Sequence, residues 1–215
     1  MTPDIAAVER LAGNYSVEGR DPRANDYRGT MKMVRRGAFL HAEAQLASMG
    51  QRFGLAMPFA GRLVMAFGAK DKVEIGAYHL DGQNVHGMWV PPGAADENFE
   101  KCGREESVVE AEHVWRIHKA HAVDQSAYTG TVHLTPAASA NPLQRPTPVK
   151  MTWKLHDGEY HSFGLAYEDA VYSTFNLAKD QPGGLAVYEM HENEWRGRWL
   201  VGDADSPMGI EVLRR

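Results

Sequence analysis

Apolar residues alternate with polar ones along much of this chain, at a period of two. Lys32 separates Met31 from Met33, His133 separates Val132 from Leu134, and Thr152 and Lys154 separate Met151, Trp153 and Leu155. That period sends successive side chains to opposite faces of a strand and buries one of them. Asp81-Gly82 and Asp157-Gly158 are hairpin-turn pairs between such runs. Turn residues recur at roughly ten-residue intervals, which suits short strands joined up and down. Only the first dozen residues have a helical period. There Thr2 is the N-cap, Pro3 fits the first turn, Ile5, Val8 and Leu11 share a face, and Gly13 is the stop. The pattern predicts an all-β protein with a short N-terminal helix that lies against a barrel or plugs its end.

The pattern is written twice. Phe53-Gly54-Leu55-Ala56 recurs as Phe163-Gly164-Leu165-Ala166, and the same shift carries Tyr78 onto Tyr188 and Gly87-Met88-Trp89 onto Gly197-Arg198-Trp199. Tyr27-Arg28-Gly29-Thr30 answers Tyr128-Thr129-Gly130-Thr131, and Gly103-x-Glu105 answers Gly209-x-Glu211. Common order and near-constant spacing point to tandem duplication. Two antiparallel up-and-down β-barrels of seven to eight strands are expected, one from residues 1–108 and one from 109–215. They should pack together, because the join from Ser107 to Trp115 holds neither Gly nor Pro. Gly29, Gly87, Gly130 and Gly197 fall inside strands near a Tyr or Trp, as if making room for an aromatic ring. Two long loops, Val90–Cys102 and Thr135–Pro148, break the symmetry.

With the repeat in view, each copy resembles the calycin-like small barrels, the group that includes lipocalins, avidins and barrel-shaped cyclases, although its Gly-x-Trp pairs fall late in each copy where the lipocalin signature opens the first strand. The resemblance is architectural and spans nearly all of both copies. It implies a small, mostly hydrophobic ligand in a barrel mouth.

A formal net charge of −5 argues against nucleic acid or an anionic membrane as partner, since both are polyanions. No run approaches the roughly 18 apolar residues of a spanning helix. The opening Met1-Thr2-Pro3-Asp4-Ile5 carries no basic-then-apolar leader, so a cytoplasmic location is the default expectation. Cys102 is the single cysteine, which excludes an internal disulfide and a Cys-based metal cage. His113, His118 and His121 are spaced wrongly for a shared face, and neither metal nor cofactor is expected. Gly-x-Ser-x-Gly, P-loop, dinucleotide and His-Glu-x-x-His motifs are all missing from the sequence.

His41 and Glu43 share one strand face and are the catalytic candidates. Facing inward, they would give a barrel an imidazole and a carboxylate for proton transfer. Facing outward, they leave Leu40, Ala42, Ala44 and Leu46 inside. A one-residue gap in the repeat sets Ala42 and Ala44 against Met151 and Trp153 and favours the outward arrangement. The expected ligand-binding residues are Tyr27, Gly54, Met57, Tyr78 and Trp89, lining a pocket in the first copy. The second copy is better filled, with Trp153 where the first has Ala44 and Tyr167 where it has Met57. The functional expectation is binding of a small apolar or aromatic molecule. A cofactor-free isomerase, cyclase or lyase in the same pocket, and an assembly protein with filled barrels, stay open, as does a homo-oligomer.

Overall fold

The computed structural model describes residues 5–69, 72–91, 102–138, 145–175 and 183–215. In chain order it contains α1 (Ile5–Leu11), β1 (Gly13–Arg20), β2 (Asp26–Arg36), β3 (Phe39–Leu46), β4 (Gly50–Phe59) and β5 (Arg62–Gly68). There follow β6 (Ile75–Asp81), β7 (Asn84–Val90), β8 (Gly103–Ala111), β9 (Val114–His121), β10 (Ala127–Pro136) and β11 (Thr147–Leu155). The last five are β12 (Gly158–Ala166), β13 (Ala170–Thr174), β14 (Gly184–His191), β15 (Glu194–Val201) and β16 (Gly209–Arg214). The strands close two antiparallel barrels of eight, as the period of two required. No helix among the described residues is long and apolar enough to cross a membrane. The predicted helix cap at Thr2 and Pro3, and the inner parts of both long loops, 92–101 and 139–144, lie outside the described residues.

The barrels are not the two halves of the chain. One barrel runs β1-β16-β15-β14-β5-β4-β3-β2, the other β10-β11-β12-β13-β6-β7-β8-β9. Copy one supplies β1 to β8 and copy two β9 to β16. Each copy keeps its first five strands together and sends its last three into the other barrel. Division into self-contained barrels at 1–108 and 109–215 is therefore corrected. The physical reason is the pairing after the fifth strand of each copy. β5 pairs with β14 (Leu63 opposite Tyr188, Phe67 opposite Gly184) instead of with β6, and β13 pairs with β6 (Val171 opposite Tyr78). We call the first barrel discontinuous and the second, β6 to β13, continuous.

Three apolar clusters follow from this arrangement. One fills the discontinuous barrel around Met33, Leu40, Leu63 and Leu213, with Val8 and Leu11 of α1 packed onto it. One fills the continuous barrel around Trp115, Ile117, Met151 and Trp153. The third lies between the barrels, where Leu55, Met57, Val64 and Leu185 meet Ile75, Met88, Leu165 and Tyr172. Strands at this seam are buried on both faces, so β5 reads Leu63-Val64-Met65-Ala66 with no polar alternation. A charged clamp borders the seam. Arg62 on β5 donates to Glu189 (3.1 Å) on β14 and, with both bonds near 3.0 Å, to Asp169 beside β13; its guanidinium also lies 4.0 Å from the Tyr167 ring centre. Cys102 belongs to the same core, and burial pushes its thiol up to about 12, too high for a reactive thiolate at neutral pH.

The strand glycines divide into two kinds. A Cβ on Gly87 would stand 2.1 Å from the ring of Tyr78, and one on Gly197 2.3 Å from that of Tyr188. These two make room for an aromatic, although the ring comes from the facing strand. At Gly29 and Gly130 the obstacle is backbone, the carbonyls of Gln45 and Lys154 at 2.1 and 2.3 Å. These positions let neighbouring strands coil closely where the barrel turns.

Candidate functional site

A carboxylate interrupts the inward face of β16. Gly209, Glu211 and Leu213 all point into the discontinuous barrel, and Glu211 is buried. Burying an unpaired carboxyl costs several kcal/mol, and two tyrosines meet it. The Tyr27 hydroxyl on β2 donates to Oε2 at 2.8 Å, and that of Tyr188 on β14 donates to Oε1 at 2.5 Å. Burial raises the Glu211 carboxyl above its usual range, and the two donated bonds hold it partly back. Burial first, then the nearby carboxylate, pushes both tyrosines above their ordinary range, so they remain donors at any physiological pH. Trp199 on β15 stands edge-on to Tyr27, with ring centres 6.4 Å apart. Its Nε1 is near enough to influence the Tyr27 hydroxyl, yet it is buried outside hydrogen-bond geometry.

These groups face a cavity of about 490 Å³. Its walls include Met31, Ala42, Ala44, Leu46, Met65 and Phe67. The rim, at the end opposite α1, is formed by Met49, Gln51 and Arg52 with Gly68, Ala69 and Val201. α1 closes the other end, where the Tyr15 hydroxyl donates to the Leu11 carbonyl at 2.8 Å. Side-chain polarity comes from the Tyr–Glu–Trp group inside and from Gln51 and Arg52 at the rim. A second concavity beside α1 is bordered by Arg62 and Arg215. Both guanidiniums there are engaged, Arg62 in the clamp and Arg215 on the carbonyls of Arg10 and Ala12.

The continuous barrel repeats the network with different filling. Glu105 is buried and accepts from Ser107 Oγ at 3.0 Å and from the Tyr128 hydroxyl at 3.4 Å, while Trp89 Nε1 donates to that hydroxyl at 3.1 Å. Burial lifts the Glu105 carboxyl to about 7. Aromatic rings occupy the interior: Trp153 lies 6.3 Å from Tyr78 and 5.1 Å from Phe175, centre to centre. The Tyr–Glu pair recurs whether the barrel is open or filled, so it belongs to how each barrel closes.

A raised carboxyl has a measurable consequence. The folded chain keeps the Glu105 proton over the interval from about 4.5 to about 7, where the unfolded chain has released it. This contribution to stability is full at low pH and is lost as pH rises through 7, an effect on the order of 3 kcal/mol. Replacement Glu105→Gln should flatten that part of the melting temperature's pH dependence. Parallel curves for the two proteins between pH 4.5 and 8 would give Glu105 an ordinary pKa.

The structure scatters the sequence-predicted residues. Tyr27 and Gly54 line the cavity. Met57 points the other way, into the seam between barrels, because Ala56 takes the inward position on β4. Tyr78 and Trp89 stand in the continuous barrel, carried there with β6 and β7. A single first-copy pocket holding all five is therefore corrected. His41 and Glu43 are on the outer face, since Leu40, Ala42, Ala44 and Leu46 are the buried set on β3. Glu43 is exposed and accepts from Gln51 Nε2 at 2.5 Å, so the pair does not face the cavity. Tyr188, Trp199 and Glu211 were not among the expected site residues. The available signal was a carboxylate in a strand's apolar register, present at both Glu105 and Glu211. No protein-family model, curated protein or solved structure matches the chain.

Proposed function

We propose that the discontinuous barrel binds a small, mostly apolar molecule in its cavity and that the protein acts as a binding or carrier protein. The observation that carries this is the cavity itself, about 490 Å³ of apolar-walled space in one barrel of a chain that packs aromatic rings into the other. That volume lies within the range typical of small-molecule sites, as does an apolar wall with a few convergent polar groups. Entry is from the rim at Met49, Gln51 and Arg52, because α1 covers the opposite end.

A thermal-shift screen of apolar and aromatic compounds tests it. A ligand at a hundred times its Kd stabilises by about 2.7 kcal/mol, which for a chain of this size raises Tm by roughly 5–10 °C. The fluorescence of Trp199, in the cavity wall, should change at the same concentrations. If no compound moves either signal, the open barrel is a scaffold like its sister.

A further inference from the structure

The two barrels are unequal copies of one plan, so the filled barrel reveals the shape the open one has to complement. Their registers coincide at a shared landmark. Gly29 pairs with Leu46 and Gly130 with Leu155, and each glycine is pressed against the carbonyl just before that leucine. Two residues back along the partner strand, Ala44 faces inward from β3 and Trp153 from β11. Around Trp153 stand Tyr78 and Glu105, the repeat equivalents of Tyr188 and Glu211. The Trp153 side chain is near enough to Glu105 to help hold its carboxyl down, while the hydrogen bonds to that carboxyl come from Ser107 and Tyr128. Beside Ala44 the corresponding space is cavity, bordered by Tyr188 and Glu211.

A second difference lies in the neighbouring tryptophans. Trp89 Nε1 has a partner in the Tyr128 hydroxyl, at 3.1 Å. Its equivalent, Trp199 Nε1, is buried on the cavity wall without one. That N–H is packed over Gly209, so the polar group an occupant of the open barrel meets is the Glu211 carboxyl, whose two oxygens each accept one tyrosine bond and have a lone pair left.

Resting on the binding reading above, we infer that the cavity's ligand is an indole-like aromatic bicycle whose ring N–H donates to Glu211, in the place that the Trp153 side chain takes in the sister barrel. The ring would lie tilted against Tyr188 as Trp153 lies against Tyr78, and a substituent would extend toward the rim. The cavity is several times the volume of an unsubstituted bicycle, so the natural ligand is larger than the bare ring.

Calorimetric titration of the full chain with three probes decides it: indole, indene (the same shape without the N–H) and decanoate. Indole should bind at least ten times more tightly than indene, because only indole gives the Glu211 carboxyl a further hydrogen bond beyond those from Tyr27 and Tyr188. Binding of indole should disappear in Ala44→Trp, in which the chain supplies the ring itself. Equal affinity for indole and indene, or indole binding that survives Ala44→Trp, overturns the inference. Binding of decanoate with neither aromatic overturns it too, while leaving an apolar pocket intact. Failure of all three probes, together with a blank screen, removes both the inference and the reading on which it rests.

Discussion

Residues 1–112 expressed alone will form a dimer. The segment carries β1 to β8, five strands of one barrel and three of the other. Two such segments exchanging β6 to β8 rebuild both barrels, as the two copies do within the full chain; exchange of identical elements is an inexpensive route to dimers. A segment that closed on itself would still bare the seam, where Phe39, Leu55, Met57, Val64, Ile75 and Ala77 are all buried. An apolar face of that extent drives association. Sedimentation or light scattering should therefore give twice the segment mass, with a single cooperative melting transition. A well-folded monomer would mean that strand exchange and the seam are dispensable. The full chain should likewise melt in one transition, since neither barrel closes without strands from both copies.

The substitution Ala44→Trp will raise the melting temperature and abolish the binding of indole. Ala44 is buried on the cavity wall, and the position two residues from the Gly130 landmark shows that this barrel plan accepts a tryptophan there. Burying an indole removes about 200 Å² from water, or roughly 5 kcal/mol at 25 cal/mol/Å². Strain from an imperfect fit takes back about 1–3 kcal/mol, and the fixed rotamer takes back more. A net gain of about 1–2 kcal/mol remains, a rise of roughly 2–8 °C for a chain of this length. Arg52, directly opposite on β4 and exposed, has free space into which to swing. Scanning calorimetry and titration on the same sample read both effects. A lower melting temperature with binding preserved would show that the cavity and the Trp153 site are not equivalent spaces.

Much of the fold was legible because strand structure is a local property. Alternation along β2, β10 and β11 reports one buried face wherever the strand ends up, and the duplication reports itself. Even the orientation of β3 could be read, since aligning Ala42 and Ala44 with Met151 and Trp153 sends His41 and Glu43 outside, where the structure has them. The contrast of Ala44 with Trp153 pointed to an open barrel and a filled one.

What the chain alone determined is thus the all-β class, the inward and outward faces of strands such as β2, β3, β10 and β11, and the repeat. Which barrel each residue enters was decided by tertiary structure. Tyr27 and Tyr128 are equivalent, and so are the Tyr–Trp–Glu sets at Tyr78, Trp89 and Glu105 and at Tyr188, Trp199 and Glu211. Either set completes either tyrosine, so self-closure and exchange leave the same local pattern in the sequence. The choice rests on the links after β5 and β13 and on burying the apolar seam, energies that belong to the whole assembly and to no single strand. That choice splits the expected first-copy pocket and places Tyr188, Trp199 and Glu211 from copy two beside Tyr27 from copy one. A site assembled from residues some 180 positions apart, such as Tyr27 and Glu211, exists only once the barrel has closed.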